Sequence, residues 1–101
     1  MSRRFINADG YRPGTQNNVA VATTSTAAAS SAFGSQTYTI RVAAPAAAFY
    51  KIGDPAATPT ATSSDVYLPA NWVEFVIVTP GQKISFFSAT IQTISVNEVT
   101  Q

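Results

Sequence analysis

The feature that most constrains the fold of this chain is its pattern of short apolar runs that alternate with polar residues. Tyr38, Ile40 and Val42 are separated by Thr39 and Arg41, so the apolar side chains share one face of an extended segment. Proline and glycine recur between such runs, where they favour turns. No segment sustains the 3.6-residue period of an amphipathic helix. The chain is therefore predicted to be all-β.

Strand-length segments follow one another over most of the chain, about seven in about 85 residues, as in small two-sheet β proteins. A loop or a poorly pairing edge strand is predicted for residues 25–31, and a long irregular connection for residues 54–65. The predicted strands are 18–24, 36–42, 49–52, 66–68, 72–78, 83–89 and 90–100. This pattern indicates a small antiparallel β-sandwich or jelly-roll-like domain.

Residues 72–78 are apolar on both faces apart from Glu74, which predicts a central strand covered on both sides. Pro80 and Gly81 occupy the middle positions of the following turn, the preference of a type II turn. Residues 83–89 are then expected to return antiparallel to the strand before the turn.

At 101 residues the chain has the length of one domain. We predict an extended N-terminal arm over residues 1–17 and a single β-sandwich domain over residues 18–101. The arm segment has no periodicity, and a disordered tail is the alternative. Large apolar groups in this segment favour an arm that docks on a partner. The predicted partner-binding residues are Arg3, Arg4, Phe5, Ile6, Tyr11 and Arg12.

Composition argues against catalysis. The chain has no cysteine and no histidine, so it lacks a thiol nucleophile, a disulfide and the usual acid/base at neutral pH. Asp54 and Asp65 border the same loop, but a turn residue and a strand boundary explain them better than a metal or acid/base pair. We therefore expect neither an enzyme nor a cofactor.

The charge content points towards assembly. Only 11% of residues are charged and the net charge is +1, against roughly 25% charged residues in ordinary soluble domains. Neither nucleic acid nor a membrane surface is an expected partner, since the chain has no strong field. Phe86 and Phe87 must point to opposite faces of a strand, as must Phe49 and Tyr50. A second subunit is expected to cover the outward groups, with a loop or the arm as the alternative.

Aromatic residues raise a second possibility. Tyr50, Tyr67 and Trp72 are candidates for stacking on sugar rings at the surface of a β-domain, although core packing is the commoner role of such residues.

Residues 38–99 resemble a pattern found in small virion proteins of tailed bacteriophages, over about 60 residues, which is the span of a small domain core. A strand ending in Gly53 and Asp54 is followed by a Thr/Ser/Ala-rich loop, a Leu68-Pro69-Ala70 segment and a turn containing Pro80. Asn71 stands where the pattern usually has glycine. The resembling segments are 40–42, 48–55, 67–70, 74–77, 80–84 and 94–99.

This resemblance implies a small head or tail component of the virion, usually a head decoration (cement) protein. The β-core, the low charge, the expected self-association and the apolar arm favour the decoration type, with the major capsid protein as its partner. Such a protein binds the outer surface of the head and clamps neighbouring capsid subunits, and many weak contacts suffice because they act together. A homotrimer, made in the host cytoplasm and located on the capsid exterior, is the expected form. A tail- or fibre-associated adhesin and a head–tail connector ring remain the alternatives.

Overall fold

The structure is a computed structural model, and it describes residues 12–100. This part of the chain is all-β, contains no helix, and forms two antiparallel sheets. The strands are β1 (Arg12–Gln16), β2 (Val19–Val21), β3 (Ala28–Ala29), β4 (Thr39–Ala44), β5 (Ala48–Gly53), β6 (Val66–Leu68), β7 (Trp72–Ile77), β8 (Lys83–Phe87) and β9 (Gln92–Thr100).

The first sheet has the order β1–β9–β4–β7, and β2 also pairs with β9. Strands β1 and β2 lie end to end along one edge of β9, since Arg12 pairs with Thr100 and Val19 pairs with Ile94. The ladder continues between them, because the Val96 N–H donates to Asn18 Oδ1 over 3.0 Å. A side chain therefore replaces the backbone acceptor where the edge strand is interrupted.

The second sheet has the order β3–β8–β5–β6, and every pair in it is antiparallel. In the register of this sheet, Tyr50 of β5 lies between Val66 of β6 and Phe86 of β8. Strand β3 has only two residues and closes one edge. The segment 25–31 thus contains the short edge strand that was one of its two predicted forms.

The two sheets enclose one hydrophobic core. Apolar residues that alternate with polar ones along the strands supply the side chains of this core, because successive residues of a strand point to opposite faces. The largest fully buried side chain is Phe86, from the second sheet, and the next is Ile40, from the first. The core side chains are Val19, Val21, Phe33, Ile40, Val42, Ala44, Ala48, Tyr50, Leu68, Val78, Ile84, Phe86, Ile94 and Val96. Burial of these groups from both sheets is the main stabilising term of the fold.

The turn at residues 79–82 has the predicted type II geometry, but it does not join two paired strands of one sheet. Gly81 has a φ of 86°, as the third position of a type II turn requires, and the Gln82 N–H donates to the Thr79 carbonyl over 3.2 Å. The predicted hairpin is wrong, however, since β7 belongs to the first sheet and β8 to the second. Turn residues set the local reversal, whereas the sheet that the next strand joins depends on side-chain burial.

The prediction of a central strand at residues 72–78 is also wrong. β7 is the end strand of the first sheet among the described residues, and none of its side chains is buried. Burial of β7 on both sides therefore does not explain why both of its faces carry apolar residues. Tyr38, which was predicted to share a face with Ile40 and Val42, lies just before β4, and its side chain is exposed whereas theirs are buried.

The N-terminal segment is only partly described. β1 lies inside the segment predicted as an arm and pairs with β9 through Arg12 and Pro13. Residues 1–11 lie outside the described part of the chain, so an extended arm over residues 1–17 stays a prediction.

Candidate protein-interaction surface

Exposed apolar side chains concentrate on two strands. Five of the seven exposed large hydrophobic residues among the described ones lie on β6 and β7, which end the second and the first sheet respectively. Ile77 is the extreme case, with 83% of its surface exposed. We call this surface the β6–β7 edge; it consists of Val66, Tyr67, Trp72, Val73 and Ile77.

A hydrogen bond between the sheets brings these two strands to the same side of the molecule. The Tyr50 hydroxyl, on the strand next to β6, donates to Glu74 Oε2 of β7 over 3.0 Å. The link that follows β6 is also short, since only residues 69–71 separate Leu68 from Trp72. The end strands of the two sheets therefore lie on the same side of the molecule, with Val73 and Ile77 on the outer face of the first sheet and Tyr67 on the outer face of the second.

The Tyr50–Glu74 hydrogen bond also determines the protonation state of Tyr50 and holds the carboxylate of Glu74 at this edge. Burial of Tyr50 raises the pKa of its phenol above the ordinary value of 10.0, and the hydrogen bond and the negative charge of Glu74 raise it further. Tyr50 therefore stays a neutral donor over the physiological range. Glu74 is the only charged residue of β7, and its carboxylate is held by this bond.

Among residues 12–100, strand β7 carries none of the sequence features that usually protect a sheet edge. Natural edge strands are commonly shielded by lysine, proline, a bulge or a covering segment, because unpaired N–H and C=O groups accept another strand. β7 contains neither lysine nor proline, and its pairing with β4 is continuous from Thr39 opposite Ile77 to Ala44 opposite Trp72. The arrangement is typical of a strand that receives a partner.

The outer face of the second sheet carries a row of three aromatic rings. Phe49 of β5 stands opposite Tyr67 of β6 and opposite Phe87 of β8. The rings of Phe49 and Tyr67 are tilted, with centroids 5.5 Å apart. Tyr67 is exposed, and the other two are half-buried. These side chains form a ridge available to a planar or apolar ligand.

The predicted sugar-stacking residues do not converge. Tyr50 is 6% exposed and its ring belongs to the core, where it lies 6.3 Å from the ring of Phe86. Trp72 lies on the other sheet from Tyr67. Only Tyr67 remains on an aromatic surface. Its neighbours there are Phe49 and Phe87, which were not predicted from the sequence to bind a ligand. Their position opposite Tyr67 depends on the strand register, which the sequence does not provide.

The long loop of residues 54–65 covers the rest of this outer face. The Ala61 N–H donates to Ser85 Oγ over 3.0 Å, and both residues are buried. A side chain at Gly53 would place its Cβ 2.6 Å from Pro59, so the loop packs directly on the backbone of β5. The alternative that a loop of the same chain covers outward side chains therefore applies to this part of the outer face. The aromatic ridge stays partly open.

The carboxylates occupy structural positions. Asp65 accepts from the Thr62 N–H over 2.7 Å and closes the turn before β6, as a strand-boundary residue does. Glu98 is buried and accepts from the Gly34 N–H and the Thr37 hydroxyl, a role with no advance signal in the sequence. Within residues 12–100 no group of three His, Cys, Asp or Glu side chains is placed to hold a metal ion.

The predicted partner-binding residues lie almost entirely outside the described residues. These are Arg3, Arg4, Phe5, Ile6 and Tyr11, and the structure gives no position for them. Arg12 is the first residue of β1, and only its backbone pairing with Thr100 is described. The β6–β7 edge was missed, although a strand-length segment that is apolar on both faces, such as residues 72–78, was its signal.

Comparison with known proteins adds no relative. No protein-family model, curated protein or solved structure matches this chain. Among residues 12–100 the structure has no helix with the length and hydropathy that crossing a membrane requires.

Proposed function

We propose that this chain is a non-enzymatic structural protein of a tailed-phage virion, of the head decoration type, located on the capsid exterior. The observation that carries the proposal is the β6–β7 edge, a set of five exposed apolar side chains on the end strands of the two sheets among residues 12–100. Its presence in a chain with only 11% charged residues suits a protein that works in contact with other subunits.

The finer fold assignment belongs to the same proposal. We interpret the two sheets as a β-sandwich of the jelly-roll kind, preceded by an extended arm. If β1 and β2 are counted as one interrupted strand, each sheet has four strands, and the chain changes sheet at every connection except β5 to β6. Jelly rolls are common in viral capsid and lectin domains, which supports a virion role.

The proposed mechanism is additive clamping. Each copy contacts neighbouring major capsid subunits, with Phe5, Ile6 and Tyr11 of the arm as apolar docking residues and Arg3, Arg4 and Arg12 as polar anchors. Copies grouped as homotrimers bind at several points at once, so modest individual contacts give lasting attachment. The chain is made in the host cytoplasm and joins the particle there.

The location of the chain in the particle tests this proposal. Cryo-electron microscopy of the intact virion is expected to show its density outside the head, at three-fold or quasi-three-fold positions. Density in a ring between head and tail would support the connector alternative. Density on the tail, or none in the particle, would contradict decoration.

The arm is tested separately by deleting residues 2–11, a change that leaves all described strands in place. Capsid binding is expected to fall at least tenfold, which corresponds to about 1.4 kcal/mol. The full chain is the control, and circular dichroism establishes that the shortened chain keeps its sheets. Undiminished binding by the folded deletion variant would remove the arm from the mechanism.

The aromatic ridge favours one second candidate, a tail- or fibre-associated adhesin that binds host glycans. Aromatic faces stack on sugar rings, and Tyr67 offers both an exposed ring and a hydroxyl. Glycan-array binding that is lost in Tyr67→Ala and kept in Ile91→Ala, an exposed residue that is not one of the three ridge residues, would support this function. An array without hits for the wild-type chain would count against it.

A further inference from the structure

We propose that residues 7–11 cross the outer face of the first sheet of their own chain, with Tyr11 packed on Val99 and Thr39 and Asp9 beside Arg41. Residues 1–11 lie outside the described part of the chain, so the inference comes from the face that they would cover. It concerns the isolated protein and goes beyond the decoration role without depending on it.

One end of the outer face of the first sheet is buried. Val96 of β9 belongs to the core, so the odd-numbered residues of this strand point outwards. Burial increases along this outward series towards the end of the chain. Thr93 is exposed and Ser95 is half-buried, whereas Asn97 and Val99 are only 7% and 4% exposed. An uncovered sheet face would not show this gradient, so the end of β9 is covered from outside.

The same cover extends to β4. Thr39 pairs with Val99, points outwards as Val99 does, and is 7% exposed. Ile77 of β7 pairs with Thr39 from the other side and is 83% exposed. The cover therefore lies over β9 and β4 and leaves the side chain of Ile77 open, which indicates that it comes from the β1 side of the sheet.

The segment before β1 is in the right place to supply this cover. The second sheet packs on the opposite face of the first, and the loop of residues 54–65 lies on the second sheet, so neither supplies it. Arg12 pairs with Thr100, which places the start of β1 beside Val99 at the buried end. Residues 7–11 span about 17 Å when extended. This length is sufficient, because β4 lies about 10 Å from β1 across β9.

Tyr11 suits the apolar part of the covered face. Position 11 continues β1 by one residue, and alternation along the antiparallel pair puts it on the face that carries Val99. Its ring would then pack on the methyl groups of Val99 and Thr39. Asn97 Oδ1 is also buried there and has no hydrogen-bond donor among residues 12–100. A crossing segment brings backbone N–H groups that can donate to it.

Asp9 suits the charge of the same face. Arg41 is the only charged residue of β4, and alternation places it on the face of Thr39. Asp9 is the only acidic residue among residues 1–11. Arg41 lies about 10 Å across the strands and about 10 Å along them from the start of β1. The chain from Asp9 to Arg12 and the two side chains together can span this distance.

The inference divides the arm of the proposed function into two parts. Residues 2–6 lie beyond the covered area, so Phe5 and Ile6 can contact a capsid subunit while the arm stays attached to its own domain. Docking of Tyr11 on the capsid would instead have to replace its contact with Val99.

Nuclear magnetic resonance of the wild-type chain tests the contact directly. The ring protons of Tyr11 are expected to show nuclear Overhauser effects to the methyl groups of Val99 and Thr39. Isotope-filtered spectra of a mixture of labelled and unlabelled chain separate contacts within one chain from contacts between two copies. Absence of these effects, or their presence between copies only, would overturn the inference.

Charge reversal tests the pairing of Asp9 with Arg41. Arg41→Asp is expected to weaken the Tyr11–Val99 effect by about twofold or more, because it brings two carboxylates together. Asp9→Arg, which lies outside the described strands, should weaken it similarly, and the two changes combined should restore it. Lys51→Asp is the matched control, since it reverses an exposed cation on the second sheet and should leave the effect unchanged.

Equal weakening by Arg41→Asp and Lys51→Asp, or no recovery in the combined variant, would overturn the pairing. None of these results bears on where the chain lies in a virion, so the decoration proposal is tested separately by the position of the density in the particle.

Discussion

At the scale of the residue, Asn71 shows how the backbone conformation of one residue directs the path between the sheets. It follows β6 and precedes β7, has a φ of 58°, and donates its N–H to the Ala44 carbonyl over 2.9 Å. Asparagine and glycine tolerate this left-handed conformation better than other residues do. Position 71 therefore requires a positive φ, a conformation that glycine would also adopt.

We expect Asn71→Val to lower the free energy of unfolding by about 1–2 kcal/mol, since a branched Cβ is strained at positive φ. Asn71→Gly should leave it unchanged or slightly higher. Urea denaturation measures both, with Ala20→Val on the exposed side of β2 as the control for adding a branched side chain. Equal stability of Asn71→Val and the wild type would contradict the argument.

The Tyr50–Glu74 hydrogen bond predicts an alkaline sensitivity. Because folding raises the pKa of Tyr50, its contribution to stability is complete below the unfolded value of 10.0 and is lost as the pH rises above it. The wild-type chain should therefore lose stability more steeply above pH 10 than Tyr50→Phe does. At pH 7 that variant should be less stable by about 1 kcal/mol, the usual worth of such a bond. Urea midpoints from pH 7 to pH 11 provide the comparison, and parallel curves for the two proteins would contradict it.

At the scale of the element, the loop of residues 54–65 is held on the second sheet by contacts with β5 and β8. Ser85 lies on β8 with its side chain on the outer face, yet it is fully buried because the loop covers it. Removing its hydroxyl leaves the buried Ala61 N–H without its acceptor.

Ser85→Ala is accordingly expected to lower the free energy of unfolding by about 1–3 kcal/mol and to speed proteolytic cleavage within the loop. Ser63→Ala, on the exposed part of the same loop, is the matched control and should change neither quantity. Faster cleavage in both variants, or in neither, would show that the Ser85 bond does not hold the loop.

At the scale of the whole molecule, a single core couples the two sheets. Phe86 is completely buried among residues of both sheets, whereas its neighbour Phe87 lies half-buried on the outer face. The two adjacent residues therefore allow a direct comparison of inner and outer faces.

Phe86→Ala should lower the free energy of unfolding by about 3–5 kcal/mol, the range for removing a large core side chain. Phe87→Ala should lower it clearly less. The loss should affect both sheets together, so that Trp72 fluorescence and far-ultraviolet circular dichroism report the same transition. Two separate transitions in Phe86→Ala would show that the sheets do not share one cooperative core.

Sequence patterns were enough to predict the all-β class, the positions of most strands, the turn at Gly81 and the opposite orientations of Phe86 and Phe87, although not which of the two points inward. These features are local, since alternation and turn chemistry depend on residues close together in the chain. The edge position of β7, the aromatic ridge around Phe49 and the burial of Glu98 were decided only by the tertiary structure. Each depends on which distant strand lies alongside, and that choice follows from packing the whole core rather than from any single segment.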